Sequence, residues 1–352
     1  MEFGIFSNGY VPGPAAHDSE SEHTALMREF DIAIHADKFN WKYVWFGEHH
    51  ALTEYSHLSA PEVAIGYVAA KTERIHMGTA IMNISPRVNH PVRSAERAAM
   101  MDHITNNRFE WGTGRGAGSH EIASFNIADK NSTKAEWEEV APEIPRMWEQ
   151  EDYEFHGESF TVPYPHNILP KPYGQGHPPI WMACGNPPSF ARAGELGVGA
   201  IAFNFEPIFD MKGRLDAYKE AAANCTEPLG QFQNNNIMMT NAVICLNDRK
   251  RAREIALSRG RGYLNSMVAL YHDTMPKREG APESGRNPGD TAGTPRLSLQ
   301  HVEVVDSAAG GTRVQDHNSS RSNKTASLFG DDDDDVSGGS NRKGLYEWIK
   351  AS

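Results

Sequence analysis

Short apolar runs alternate with helical patterns from the first residue to about residue 250, and this alternation limits the folds open to the chain more than any other feature. The runs at 3–6, 43–46, 75–82, 109–112, 179–183, 199–203 and 237–245 read as strands, that at 43–46 aromatic and β-branched enough to be buried on both faces. Helical patterns fill the gaps at 22–38, 61–71, 91–104, 135–149, 189–196, 211–223 and 248–263. The pattern at 91–104 opens with Pro91 in its first turn and repeats apolar residues at Val92, Ala95 and Ala99. Alternation at this spacing demands parallel strands joined by right-handed crossovers. Seven such units, with room for another, predict an α/β fold, a (β/α)8 barrel whose eighth unit is divergent or missing. The competing doubly wound sheet would carry G-x-G-x-x-G after its first strand, and that motif is not there.

Two stretches break the rhythm. Residues 117–178, rich in aromatics, Pro and Gly, are too long for an ordinary strand-to-helix loop and are expected to cover part of the barrel mouth. After about residue 283 the chain turns to Gly, Ser, Asn, Asp and Thr, with one apolar alternation at 301–305. The expected organisation is a barrel domain over 1–283 and a divergent, largely disordered tail over 284–352. The run of aspartates at 331–335 lacks the alternating ligands and closing Glu of a calcium loop and reads as a solvated charge run.

Charge narrows the partners. Lys and Arg number 34 against 46 Asp and Glu, a formal charge of −12 with no basic stripe, which argues against nucleic acid or an anionic membrane surface. Cys184, Cys225 and Cys245 lie too far apart in sequence to suggest a disulfide framework or a zinc knuckle. The start MEFGIFSNGY is strand-like and unlike a signal peptide, and no apolar run approaches the roughly 20 residues that span a bilayer. A cytoplasmic location is the expectation.

Four motifs carry chemistry. Glu48-His49-His50 ends the second strand, on the face where barrels build active sites. An imidazole with a reference pKa of about 6.5 exchanges protons near neutrality. Successive strand residues point to opposite sides, so His49 and His50 cannot share a partner unless the strand has ended. A hydrogen-bonded structural cluster, a proton-transfer site and a metal site all stay open, metal being the weakest because no companion ligand appears at another strand end. Second, Gly112-Thr113-Gly114-Arg115-Gly116 closes the fourth strand: glycines let a backbone approach an anion, and Arg115 offers a forked charge to a phosphate. The alternative is a tight turn with an exposed arginine. Third, Cys184-Gly185-Asn186-Pro187-Pro188-Ser189 ends the fifth strand and opens a helix, either as an anion site or as a plain N-cap, with the two prolines donating no N–H. Fourth, small residues around Thr79, Ala80, Ile81 and Asn83 would let a flat ring lie against a strand end, or simply pack the barrel. His90 and Glu96 beyond it read as local structural groups.

These segments together resemble the bacterial luciferase-like flavin-dependent monooxygenases. The matching pieces are FGIFSNGY, WFGEHH with TEYS behind it, RIHMGTAI, HPVRSAERAAMMD, NNRFEWGTGRG and HPPIWMACGNPPSFARAGELG, in the family's order over about residues 1–280. The resemblance implies a TIM barrel that binds FMN, delivered reduced by a separate NAD(P)H-dependent flavin reductase. By the same resemblance His49 is the active-site histidine, with Glu48 beside it. Arg115, between Gly114 and Gly116, grips the FMN phosphate, and Gly185, Asn186 and Ser189 form the second phosphate loop. Ala80 and Ile81, ahead of Asn83, fall where the family often has a cis peptide under the flavin ring. A reactive cysteine of the luciferases corresponds to Gly114, so light emission is not implied. The chemistry implied is insertion of one oxygen atom from O2 into a small organic substrate, shielded from water by the 117–178 insertion and the stretch after Tyr263. Family members are often dimers, which makes a homodimer a partner to test for. Against the family pattern, residues from about 284 do not look like its eighth strand and helix, and a barrel lacking them exposes strand edges. Two other readings stand beside this one: an F420-dependent hydride-transfer oxidoreductase of the same superfamily, and a non-catalytic flavin-binding protein.

Overall fold

In the computed structural model the described residues are 2–11, 18–52, 55–116, 118–174, 176–203 and 208–259, with 304–305 and 312–313. The strands are β1 (Gly4–Ser7), β2 (Tyr43–Phe46), β3 (His76–Thr79), β4 (Met82–Asn83), β5 (Phe109–Gly114), β6 (Tyr153–His156), β7 (Thr161–His166), β8 (Ile180–Ala183), β9 (Gly199–Phe203) and β10 (Ile237–Thr240). The helices are α1 (Ser19–Lys38), α2 (Pro61–Ala69), α3 (Pro91–Thr105), α4 (Ser119–Ala123), α5 (Ser132–Val140), α6 (Glu143–Glu149), α7 (Pro187–Glu195), α8 (Lys212–Asn224) and α9 (Arg249–Arg259). The chain divides into two compact units, residues 1–9, 29–52 and 56–241, and residues 10–28, 53–55 and 242–352. All strands from β1 to β10 lie in the first.

One sheet runs in the order β1-β2-β3-β5-β8-β9-β10, with β4 paired to β5, and each of its pairings is parallel. The expected strand at 75–82 is two strands, β3 and β4, and the cis peptide that the resemblance implied at Ala80–Ile81 lies between them. Together they fill one barrel position, so the sheet is a nearly closed barrel of seven positions. Its curl is visible in the ring contacts. Trp45 of β2 meets Trp181 of β8 edge-on at 5.1 Å, and Phe6 of β1 meets Phe203 of β9 at 5.0 Å. Those strands are far apart in sheet order and can meet only across an interior.

The interior and the outer layer are separate cores. Trp45, Trp181 and Ile201 fill the inside, with Phe6, Tyr43, Ala80, Ile81 and Met238 against them. Alternate strand residues such as Val44, Phe46, Met77, Phe109 and Trp111 face outward into a larger core shared with the helices. The two tryptophans fit because glycines face them: a Cβ on Gly78 would stand 2.3 Å from the Trp45 ring, and one on Gly199 2.3 Å from that of Trp181.

The expected helix at 135–149 is broken into α5 and α6 at Pro142, which cannot donate an N–H to continue the ladder. The expectation for the insertion also changes. Trp148 of α6 donates Nε1–H to the Ala95 carbonyl of α3 at 3.0 Å and stacks edge-on against Trp111 at 5.1 Å. Thus α6 belongs to the barrel's own helical layer rather than to a cover over its mouth. The hairpin β6–β7 is tied to α5 and α6, through Ser159 to Glu139 and Tyr153 to Glu143. From this stretch α4 reaches residues 48–50 through Glu121, and α5 reaches Arg115 through Thr133. The tail lies outside the described residues, apart from Val304–Val305, which pairs antiparallel with Thr312–Arg313 instead of joining the barrel sheet.

Candidate active site

The second strand ends at Phe46, and the chain then turns: Gly47 N–H bonds the Ser7 carbonyl at 3.0 Å and His49 N–H that of Leu58 at 3.0 Å. Glu48 and His49 are buried and His50 half-buried. Their side chains part to opposite partners. Glu48 Oε1 lies 3.1 Å from His50 Nε2 and accepts from Asn89 Nδ2 at 2.8 Å, while its Oε2 accepts the Asn83 N–H at 3.2 Å. Asn89 is held in turn by Arg97 Nη2 at 2.6 Å, and Arg97 pairs with Glu62 at 2.8 Å. Burial opposes a charge on His50, but the bond to Glu48 and the charges of Glu48, Glu121 and Glu62 outweigh it, and its pKa is raised.

His49 faces the other way. Its Nδ1 lies 3.3 Å from Oε1 and 3.5 Å from Oε2 of Glu121, the buried acid of α4. The same Oε1 accepts the His50 N–H at 2.8 Å. Sequence reasoning missed Glu121, Asn89 and Arg97. Glu121 sits on a five-residue helix with no periodicity to mark it; Asn89 precedes HPVRSAER and Arg97 ends it, with no local pattern to tie either to Glu48. His90, as expected, is local: its Nδ1 caps α3 by accepting the Val92 N–H at 3.3 Å.

The other expected residues follow neighbouring strand ends of the same rim. Asn83 pairs with Gly114 in the β4–β5 register, and Thr113 with Met182 in β5–β8, so Arg115 and Asn186 leave adjacent strands on the carboxyl side. Space is tight at both glycines: a Cβ on Gly114 would meet Ile81 Cγ1 at 2.6 Å, and Gly116 has a φ of +70° with Asn83 Nδ2 at 2.9 Å from its notional Cβ. Arg115 is half-buried and donates from Nη1 to the Lys130 carbonyl at 3.0 Å and to Thr133 Oγ1 at 3.2 Å. Among the described residues no carboxylate pairs with it.

At α7 the plain N-cap is present. Asn186 Oδ1 accepts the Ser189 N–H at 3.1 Å, and Ser189 Oγ accepts the Asn186 N–H at 3.2 Å, a reciprocal capping box. With Pro187 and Pro188 lacking N–H groups, the expected amide donors of this loop reduce to that of Gly185, whose missing Cβ faces open space. Cys184 beneath is inert, its thiol pushed up to about 12 by burial. No cluster of three or more His, Cys, Asp or Glu able to hold a metal occurs among the described residues, nor any helix long and apolar enough to cross a membrane.

Residues 1–333 match the model of the luciferase-like monooxygenase family. The oxygenase component of flavin-dependent trigonelline monooxygenase from Acinetobacter baylyi is 34% identical over 198 residues, 56% of this chain and 52% of that protein. The chain thus spans about half of that relative's length. Among solved structures, the monooxygenase RslO1 from Streptomyces bottropensis superposes with a TM-score of 0.67 at 24% identity, covering 76% of this chain and 79% of that one. The oxygenating constituent of 3,6-diketocamphane monooxygenase from Pseudomonas putida, in complex with FMN, gives 0.61 at 21%, covering 73% and 71%. An F420-dependent secondary alcohol dehydrogenase gives 0.60 at 18%, covering 76% of each chain. At these identities the structures share the fold. With the family model matched from residue 1 to residue 333, this chain belongs to the luciferase-like monooxygenases.

Proposed function

We propose that the chain is a flavin-dependent monooxygenase that takes reduced FMN from a separate NAD(P)H-dependent flavin reductase and inserts one oxygen atom of O2 into a small organic substrate. Arg115 carries this reading: a half-buried guanidinium at a strand end, with no carboxylate partner among the described residues, in a chain whose net charge is −12. Such a cation, with Nε and Nη2 left over, suits a phosphate. Arg115 and Gly116, with the Gly185 N–H, would hold the phosphate end, while Asn186 and Ser189 shape that loop by capping each other. Ala80, Ile81 and Asn83 beside Gly114 would receive the ring. When bound, the reduced flavin supplies the electrons that activate O2.

The chain's own residues do the rest. His49 gives or takes a proton at the rim. Glu48 favours the charged form of His50 and holds the ring in place, through the bond that raises its pKa. Phe6, Phe203, Ile81 and Met238 line the inside with apolar surface that keeps water from the reacting groups. The relative named as an oxygenase component supports a separate reductase, and the neighbour holding FMN supports that flavin. The neighbour that uses F420 favours a second reading, hydride transfer without oxygen. Turnover of a small-molecule panel with reductase-supplied FMN under 18O2 separates them. One labelled oxygen in a product is expected; F420 reduction under anaerobic conditions, with no label incorporated, would replace the first reading by the second.

A further inference from the structure

Two acid–imidazole pairs meet at residues 48–50, and they are not equivalent. The carboxylate of Glu48 is filled by His50, Asn89 and the Asn83 N–H, each within 3.2 Å. That group is committed to holding the strand end. Glu121 differs. It comes from outside the strand and has only 4% of its surface exposed. No Lys or Arg pairs with it among the described residues. A buried carboxylate without a fixed cation is costly, unless a neighbouring group can bring it a proton or a positive charge. Among the described residues, the only ionisable side chain within 3.5 Å of its oxygens is the imidazole of His49.

We propose that Glu121 is the positioning residue for His49: its carboxylate accepts the Nδ1 proton and so makes Nε2 the nitrogen that exchanges protons at the rim. A neutral imidazole carries one N–H, and a carboxylate can only accept, so the pair fixes the tautomer. When His49 takes a proton from a reacting group, the proton enters at Nε2. The imidazolium then stands against the Glu121 carboxylate, and the same N–H bond breaks when the proton is returned; Glu121 itself forms and breaks no covalent bond. The His50 N–H on Oε1 keeps the carboxylate turned toward the ring. This role in turnover rests on the flavin reading of the site, whereas the tautomer does not.

The test uses Glu121→Gln, whose amide oxygen still accepts the His50 N–H, so that the anchor of α4 survives. Nitrogen NMR of the cofactor-free protein, with His49 assigned by its loss in His49→Asn, is expected to show Nδ1–H in the parent and Nε2–H in the variant, because the Gln amide can donate to Nδ1. Turnover in the 18O2 assay is expected to fall by about 100-fold, the low end for a positioned acid–base group, with KM for substrate and affinity for FMN within threefold. The same tautomer in both proteins, or Nε2–H in the parent, overturns the proposal; so does a switched tautomer with unchanged kcat. If the parent incorporates no label at all, the monooxygenase reading falls, while the tautomer measurement still decides the pair.

Discussion

The two ends of the barrel each set a histidine against a buried glutamate, and the contrast separates a structural pair from the one proposed to be reactive. At the amino end, His76 of β3 places Nδ1 2.9 Å from Glu110 Oε1 of β5. Lys42 Nζ lies 2.9 Å from the other ring nitrogen, and Trp181 donates Nε1–H to Glu110 Oε2 at 2.8 Å. Both members lie on strands of the ladder, and both nitrogens of the ring are occupied. At the carboxyl end His49 has left the ladder, and its acid comes from a short helix behind Gly116 and Gly118. The pair at the amino end is locked into the sheet, whereas the pair proposed to position a proton spans a strand end and a helix.

The largest expected effect breaks this contrast directly. His49→Ala is expected to cut product formation by about 100- to 10,000-fold with FMN affinity within a few-fold. His76→Ala should leave turnover nearly intact and lower unfolding stability by about 1–3 kcal/mol, since Glu110 loses a partner inside the barrel. The reverse pattern would mean the two ends have been assigned the wrong way round. Next comes the packing that holds the amino end. Gly78→Ala drives a methyl into the Trp45 ring and is expected to cost about 1–3 kcal/mol in denaturant unfolding, far more than Gly185→Ala, where nothing lies within 4 Å.

Asp102, in the last turn of α3, sharpens the comparison through pH. Burial pushes its carboxyl up to about 6, with the Glu110 charge adding to the rise and the Tyr173 N–H and His103 opposing it. The folded state therefore binds the proton more tightly than the unfolded one. Its destabilising contribution grows as pH rises from about 4 to about 6, and above that it is complete. Asp102→Asn, which can still accept the Tyr173 N–H, should be more stable than the parent at pH 7, by on the order of 1–3 kcal/mol, with the gap closing at pH 4. Smallest of all, Arg93→Ala removes an exposed pair with Glu96 at 2.6 Å and should change stability by about 0.5 kcal/mol or less.

Much of this was legible in the residues because period and punctuation are local. The run at 199–203 is a strand as read, and Pro91 does open α3. Because β2 ends at Phe46, strand alternation does not decide the partners of His49 and His50; the turn after the strand sends their side chains to Glu121 and Glu48. What escaped depends on distance in sequence. Glu121 lies 72 residues from His49, and no local pattern marks a carboxylate that a short helix swings onto a strand end. The Glu62–Arg97–Asn89–Glu48 chain is hidden for the same reason. At 80–81 the period-two pattern runs through the break, and it was the family resemblance that pointed to the cis peptide found there; at 135–149 an unbroken helical pattern concealed the effect of Pro142. Asn186 and Ser189 illustrate a different limit: the residues that cap a helix are those that would bind an anion, and here each satisfies the other.

The account turns on a phosphate held at Arg115. Anaerobic calorimetry of the parent and of Arg115→Ala, with reduced FMN and reduced riboflavin, tests it most directly. FMN should bind the parent more tightly than riboflavin by about 1.5–3 kcal/mol, the scale of a charge-assisted hydrogen bond, and the difference should vanish in Arg115→Ala. Equal affinity of the parent for the two flavins would contradict it.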